Sequence, residues 1–102
     1  MKEITVTELS ALAEPVVVDV REPWEYEAAH VPGVIHIPMT EVVARIDEIP
    51  ADVPVHVICA LGGRSAQVAE YLTARGHDAV NIAGGTAAWQ QAGFSVEQGA
   101  QK

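Results

Sequence analysis

The stretch VVVDV, Val16 to Val20, sets four valines in five consecutive positions. β-Branched side chains on successive positions suit an extended chain better than a helix. A strand with one wet face alternates apolar and polar residues, and this stretch does not. It therefore reads as a strand buried on both faces, as in a parallel sheet covered by helices above and below.

The remaining apolar runs fall into that frame. ITV at Ile4–Val6, a short run near Val34–His36, VHVI at Val55–Ile58 and AVNI at Ala79–Ile82 read as further strands. Helical spacing lies between them. Leu9, Leu12 and Ala13 predict one face of a short helix capped by Thr7. REPWEYEAAH predicts a turn into a helix with Pro23 at its start, and Pro32-Gly33 a turn. Val42, Ile46 and Ile49 are spaced for one helix face, closed by Pro50 and Pro54. Ser65, Val68, Ala69 and Leu72 predict a longer helix stopped by Gly76. Gly84-Gly85 leads into a last short helix through Trp89, ending at Gly93. Alternation of this kind predicts an α/β three-layer sandwich, with a mostly parallel sheet of about five strands and helices on both faces.

At 102 residues, 49% of them apolar, the chain is one domain with enough apolar surface for a core. Residues 1–97 are expected to form it, and 98–102 to be a frayed tail. No apolar run approaches the roughly 20 residues of a membrane helix. The N-terminus lacks the apolar core and cleavage site of a secretory signal. One cysteine cannot form an internal disulfide, so the cytoplasm is the expected compartment and no membrane partner is expected. The net charge of −8 argues against nucleic acid. Eleven acidic and three basic residues lie in 1–52, against three of each in 53–102, so the second half repels an anion less. The four histidines fall in different segments with no zinc-site spacing, and no metal site is expected.

The lone cysteine, Cys59, ends a strand. Ala60, Leu61, Gly62 and Gly63 follow, then Arg64 and Ser65, where the longer helix begins. In open parallel sheets ligands sit beyond the carboxyl ends of strands. Gly62 and Gly63 permit backbone angles closed to other residues. Such a turn can aim several N–H groups inward as an anion nest, backed by the positive end of the helix dipole and the fixed charge of Arg64. A sulfur in that ring would favour the thiolate. Cys59 is thus the candidate nucleophile, with Ala60, Leu61, Gly62, Gly63, Arg64 and Ser65 as the candidate substrate-binding loop. Arg64 could equally cap loop carbonyls or pair with an acidic group.

CALGGRS, Cys59 to Ser65, resembles the active loop of single-domain rhodaneses, the thiosulfate sulfurtransferase family. VVVDVREPWEYEAAHVPGVIHIP resembles the family's upstream motif through Asp19, Arg21, Glu22, Tyr26, His30, Pro32, Gly33 and Pro38. NIAGGTAAWQQAGFSV resembles its closing motif through Gly84, Gly85, Trp89 and Gly93. The resemblance covers nearly the whole chain. One departure is Ala29, one small residue in place of another. The uncharged Ala60 and Leu61, with no lysine beside Arg64, distinguish this loop from more cationic ones.

The resemblance implies a sulfurtransferase that needs no cofactor. Cys59 would take sulfur from a small anionic donor such as thiosulfate, become a persulfide, and pass the sulfur to cyanide or a thiol. A sulfur carrier or regulatory module serving a protein acceptor is the alternative. Phosphatases and arsenate reductases of related fold place five residues between cysteine and arginine, and here there are four. Asp19 and Arg21 are expected to scaffold neighbouring loops rather than to pair directly. His30 is expected to pack or bond to backbone, Trp24 to line the mouth of the site or to pack while partly exposed, and Trp89 to be core.

Overall fold

The computed structural model describes residues 1–100, so the last two residues of the expected frayed tail lie outside the described part. Five strands form one sheet: β1 (Lys2–Ile4), β2 (Val16–Asp19), β3 (Ile35–His36), β4 (Val55–Ile58) and β5 (Ala79–Ile82). Their spatial order is β1-β5-β4-β2-β3 and every pairing is parallel. Three α-helices lie between strands, α1 (Val6–Ser10), α2 (Pro23–Ala28) and α3 (Gly63–Ala74), and α4 (Gly85–Gln91) follows β5.

Side-chain parity builds the three layers. Alternate residues of a strand point to opposite faces. Val18, Val55, Val57 and Ala79 join Val68, Ala69 and Leu72 of α3 in one apolar cluster. Val17, Ile58 and Ile82 join Val6 and Leu9 of α1, Tyr26 of α2 and Trp89 of α4 in the other. Each such aliphatic side chain taken from water contributes about 1.5–3 kcal/mol. The same parity directs Cys59, two residues after Val57, to the α3 side.

Three expectations are corrected. The first strand ends at Ile4, and Val6 opens α1. Thr5, not Thr7, caps that helix, because only Thr5 has a glutamate three residues on. Its hydroxyl accepts from the Glu8 N–H at 3.1 Å, and the Glu8 carboxylate accepts from the Thr5 N–H at 3.0 Å. The helix then stops at Ser10, which leaves Leu12 exposed. The segment carrying Val42, Ile46 and Ile49 holds two 3₁₀ turns, Met39–Glu41 and Ile46–Glu48, instead of an α-helix. A 3₁₀ turn repeats every three residues, which matches Ile46 to Ile49 but not Val42 to Ile46; the chain makes two separate turns, and Val42 and Ile49, one after each, still reach the core. The third correction is a direct ion pair between Asp19 and Arg21.

That pair follows from geometry. Residues two apart on an extended chain share a side. The Arg21 Nε and Nη2 donate to the Asp19 carboxylate at 3.0 and 2.8 Å, and the Arg21 N–H returns to Oδ1 at 3.0 Å. Both residues are buried. Nη2 also donates to the Ala29 carbonyl at 2.8 Å, which ties the end of β2 to the end of α2. The Gly99 N–H donates to the Glu27 carbonyl at 2.8 Å, so the chain still touches α2 there. No helix among the described residues is long and apolar enough to cross a membrane.

Candidate active site

β4 and α3 are joined by Cys59–Gly62. Gly62 caps the helix at φ 108°, a left-handed angle that a side chain would strain. That turn folds the chain back over the cysteine. The Gly62 N–H donates to Sγ at 3.1 Å, and Ser65 Oγ lies 3.2 Å from the same atom. Burial pushes the Cys59 thiol up. A hydrogen bond from the Ser65 hydroxyl, where its hydrogen turns to the sulfur, and bonds from the Ser65, Gly62 and Leu61 N–H groups push it down further, and the balance lies below the ordinary cysteine value. The residue is 1% exposed.

The outer wall of the loop is held by α4. Thr86 N–H donates to the Cys59 carbonyl at 2.9 Å and Ala87 N–H to the Ala60 carbonyl at 3.1 Å. With the Cys59 and Ala60 carbonyls committed to α4, the loop is free to turn its N–H groups toward the sulfur. Gly85 makes the close approach possible, since a Cβ there would stand 2.3 Å from the Cys59 carbonyl oxygen.

Arg64 is the first side chain of α3 beyond the glycines. Nη1 and Nη2 donate to the Glu25 carboxylate of α2 at 2.7 and 2.9 Å. The guanidinium holds the Glu25 carboxyl below the usual carboxylate range, and Glu25 in turn raises Arg64. Of the two structural roles open to Arg64 beside substrate contact, pairing with an acid is the one seen. Leu61 and Trp24 are both largely exposed, Trp24 immediately before Glu25.

Among the seven predicted loop residues, Cys59, Gly62 and Ser65 meet directly. Ala60 contributes its carbonyl to the α4 contact, Leu61 an N–H to the sulfur, and Gly63 the first helical position. Sequence reasoning missed Asn81, Glu25 and Thr86. Asn81 had a signal, a polar residue inside the apolar strand AVNI. It is 1% exposed and its Oδ1 accepts from Ser65 Oγ at 2.6 Å. Glu25 had none, as it lies 39 residues from its partner.

His30 is part of the neighbouring scaffold. Its ring stacks on Tyr26 with centroids 3.8 Å apart, and Tyr26 stacks on His36 at 4.4 Å. His30 Nδ1 bonds to the Tyr26 carbonyl at 2.8 Å. Trp89 is buried in the core, with Nε1 donating to the Ser95 carbonyl at 2.9 Å. Cavities of about 540 and 460 Å³ lie elsewhere, one beside His30 and Glu97, the other between Leu9 and Trp89. Among the described residues no three His, Cys, Asp or Glu side chains gather as a metal would require.

A parallel α/β sandwich with a cysteine cradled at the end of its central strand defines a recognisable class. Residues 5–92 match the family model for the rhodanese-like domain, and the chain belongs to that family. A protein named simply sulfurtransferase, from Allochromatium vinosum, is 34% identical over 86% of this chain and 83% of its own length. YrkF of Bacillus subtilis, named as a candidate sulfur carrier protein, is 40% identical over 72% of this chain. The matched part is only 40% of YrkF. Among solved structures, a thiosulfate sulfurtransferase of Pseudomonas aeruginosa superposes with a TM-score of 0.89 at 31% identity. It covers all of this chain, which corresponds to 21% of that protein.

Proposed function

We propose that this chain is a sulfurtransferase that carries sulfane sulfur as a persulfide on Cys59. The observation that supports it most is the sulfur's surroundings: a thiol held below its ordinary pKa by N–H donors of one glycine turn. The Cys59 thiolate attacks the outer sulfur of thiosulfate or a related donor. The sulfur–sulfur bond of the donor breaks, and sulfite leaves with its electron pair. A thiophilic acceptor, cyanide or a thiol, then attacks the terminal sulfur of the persulfide. Cys59 departs as the thiolate, and the cycle closes without net oxidation. Two half-reactions on one enzyme predict ping-pong kinetics.

The backbone N–H groups of the Ala60–Ser65 loop stabilise negative charge on either sulfur, as preorganised dipoles do in an oxyanion hole. Arg64, fixed by Glu25, holds the loop against α2 and adds positive charge at the start of α3. Because Cys59 is 1% exposed, the donor reaches the sulfur only when the groups around it move aside.

The direct test is intact mass after incubation with thiosulfate. Wild-type protein should gain one sulfur atom, lose it on addition of cyanide, and show no gain as Cys59→Ser. A persulfide that survives in Cys59→Ser would remove that residue from the mechanism. A second reading, delivery of the sulfur to a protein acceptor, is favoured by the likeness to YrkF. Transfer to a protein thiol outpacing transfer to cyanide would decide for it.

A further inference from the structure

Ser65 stands between two acceptors with one hydrogen to give. Its Oγ is 2.6 Å from Asn81 Oδ1 and 3.2 Å from Cys59 Sγ. The orientation of the Asn81 amide is fixed by its other end. Nδ2 faces a Glu3 carboxylate oxygen at 2.8 Å and the Gly62 carbonyl at 3.3 Å, and both of those groups only accept. Oδ1 must therefore point at Ser65, whose hydroxyl is its only donor among the described residues. While the hydroxyl serves Asn81, it presents a lone pair to the sulfur. A thiol suits that arrangement, because S–H can donate to Ser65 Oγ. A thiolate does not, because two acceptors would then face each other. To help the thiolate, Ser65 must turn its hydrogen away from Asn81 and leave a buried acceptor bare.

We propose that Asn81 is a positioning residue that competes with the cysteine sulfur for the hydrogen of Ser65. In this arrangement Glu3, Asn81 and Ser65 form a relay from the edge strand to the active loop. The relay disfavours the free thiolate relative to the thiol. It also disfavours the free thiolate relative to the persulfide, whose charge sits on the outer sulfur and asks less of Ser65. The consequence is a domain biased toward holding its sulfur until an acceptor draws it off. This deepens the reading of Cys59 as the sulfur-bearing group and rests on it.

The charged groups around the sulfur are few. Arg64 of α3 is paired with Glu25 of α2, and Glu22 stands at the start of α2. Asp19 and Arg21, after β2, neutralise each other. Glu3 on β1 is the relay's outer end. Of these only Glu3 is altered by a change at Asn81, losing its hydrogen bond from Nδ2, and a Ser65→Ala background separates that loss from the effect through Ser65.

The test is the pH profile of Cys59 alkylation by iodoacetamide, which needs no sulfur transfer. Asn81→Ala frees the hydroxyl for the sulfur, and the midpoint should fall by roughly half to one pH unit, the worth of one neutral hydrogen bond. If Asn81 only braces the loop through the Gly62 carbonyl, its loss loosens the N–H donors and the midpoint rises instead. Glu3→Gln, an exposed change suited to a protein that Asn81→Ala fails to fold, should shift the midpoint the same way by less. Glu3→Gln also removes a negative charge, so each variant is repeated in a Ser65→Ala background. There the downward shift should vanish. An upward shift, no shift, or a shift that persists undiminished without Ser65 overturns the relay. Wild-type protein that takes up no sulfur would end the transferase reading and leave this result standing on its own.

Discussion

Two strand-to-helix turns lie side by side in this molecule and are built alike. The one after β4 ends on Gly62 at φ 108°, the one after β5 on Gly84 at φ 76°, and each glycine caps the helix that follows. The two glycines abut: a Cβ on Gly62 would lie 3.3 Å from the Gly84 nitrogen. They differ in length. Ala83-Gly84 is a two-residue bridge to α4, whereas Cys59–Gly62 has two residues more. Those two residues create the concavity in which N–H groups converge on a sulfur. The short turn converges on nothing of its own and instead donates its helix's first N–H groups to the carbonyls of the long one. Glycine turns of one kind thus serve as cradle and as backrest, and only the cradle holds the cysteine.

The sharpest way to break the comparison is to fill the backrest. Gly85→Ala puts a methyl 2.3 Å from the Cys59 carbonyl oxygen and 2.6 Å from that of Ala60, at φ 59°. Backbone cannot yield as a flexible side chain would. Overpacking and the left-handed angle together should cost on the order of 3 kcal/mol. In a domain of this size that lowers Tm on the order of 10–20 °C. Gly63→Ala is the matched control in the cradle. Nothing lies within 4 Å of its added methyl and its φ is not left-handed. Its Tm should hold or rise slightly, since alanine suits a helix better than glycine. Equal losses in the two variants would erase the distinction between the turns.

What the sequence made legible follows the same division. Val16–Asp19, Val55–Ile58 and Ala79–Ile82 stood out because their burial is written in consecutive apolar residues. The α3 face of Ser65, Val68, Ala69 and Leu72 is wholly buried, as its spacing predicts. The segment from Val42 to Ile49 misled because apolar positions can reach the core from two separate turns as well as from one helix, and the choice lay in how the chain had to fit against the sheet. Cys59, Gly62 and Ser65 were legible as one continuous loop. Their supports were not. Asn81, Glu25 and Thr86 reach the loop from other elements, and nothing in a linear pattern says which distant polar side chain will face it.

A second prediction sharpens the comparison through the thiol. The converging donors hold the folded Cys59 below the ordinary cysteine value. Its alkylation should therefore reach half its maximal rate at lower pH than in the unfolded chain. The linked effect on stability has a definite sign. A depressed folded pKa contributes stability that is present above the unfolded thiol pKa and is lost as pH falls through the folded one. Denaturant midpoints measured upward from neutral pH should rise in wild type relative to Cys59→Ser, and level off above the unfolded thiol's titration. Gly62→Ala, which strains the cradle and displaces its N–H, should move the alkylation midpoint back up. An unchanged midpoint in that variant would mean that the turn does not set the ionisation.

The smallest expected effect lies at the brace between the cradle and α2. Glu25 and Arg64 meet through two hydrogen bonds, which is the favoured geometry for such a pair. The Arg64 side chain is nevertheless 37% exposed, so water and salt screen much of the attraction. Glu25→Gln should cost at most about 1 kcal/mol of stability. The Glu25 carboxyl is depressed in the folded state, so its contribution is present above the ordinary glutamate range and is lost as pH falls through the folded value. Unfolding midpoints of wild type and Glu25→Gln should accordingly differ near neutrality and converge in acid. Raising the ionic strength should narrow the gap at neutral pH. Released from Glu25, Arg64 would be free to meet an incoming anion, so the variant should show a lower KM for thiosulfate with kcat little changed. If instead kcat falls with KM unmoved, the brace positions the sulfur itself, and the loop cannot be treated as a cradle held by α4 alone.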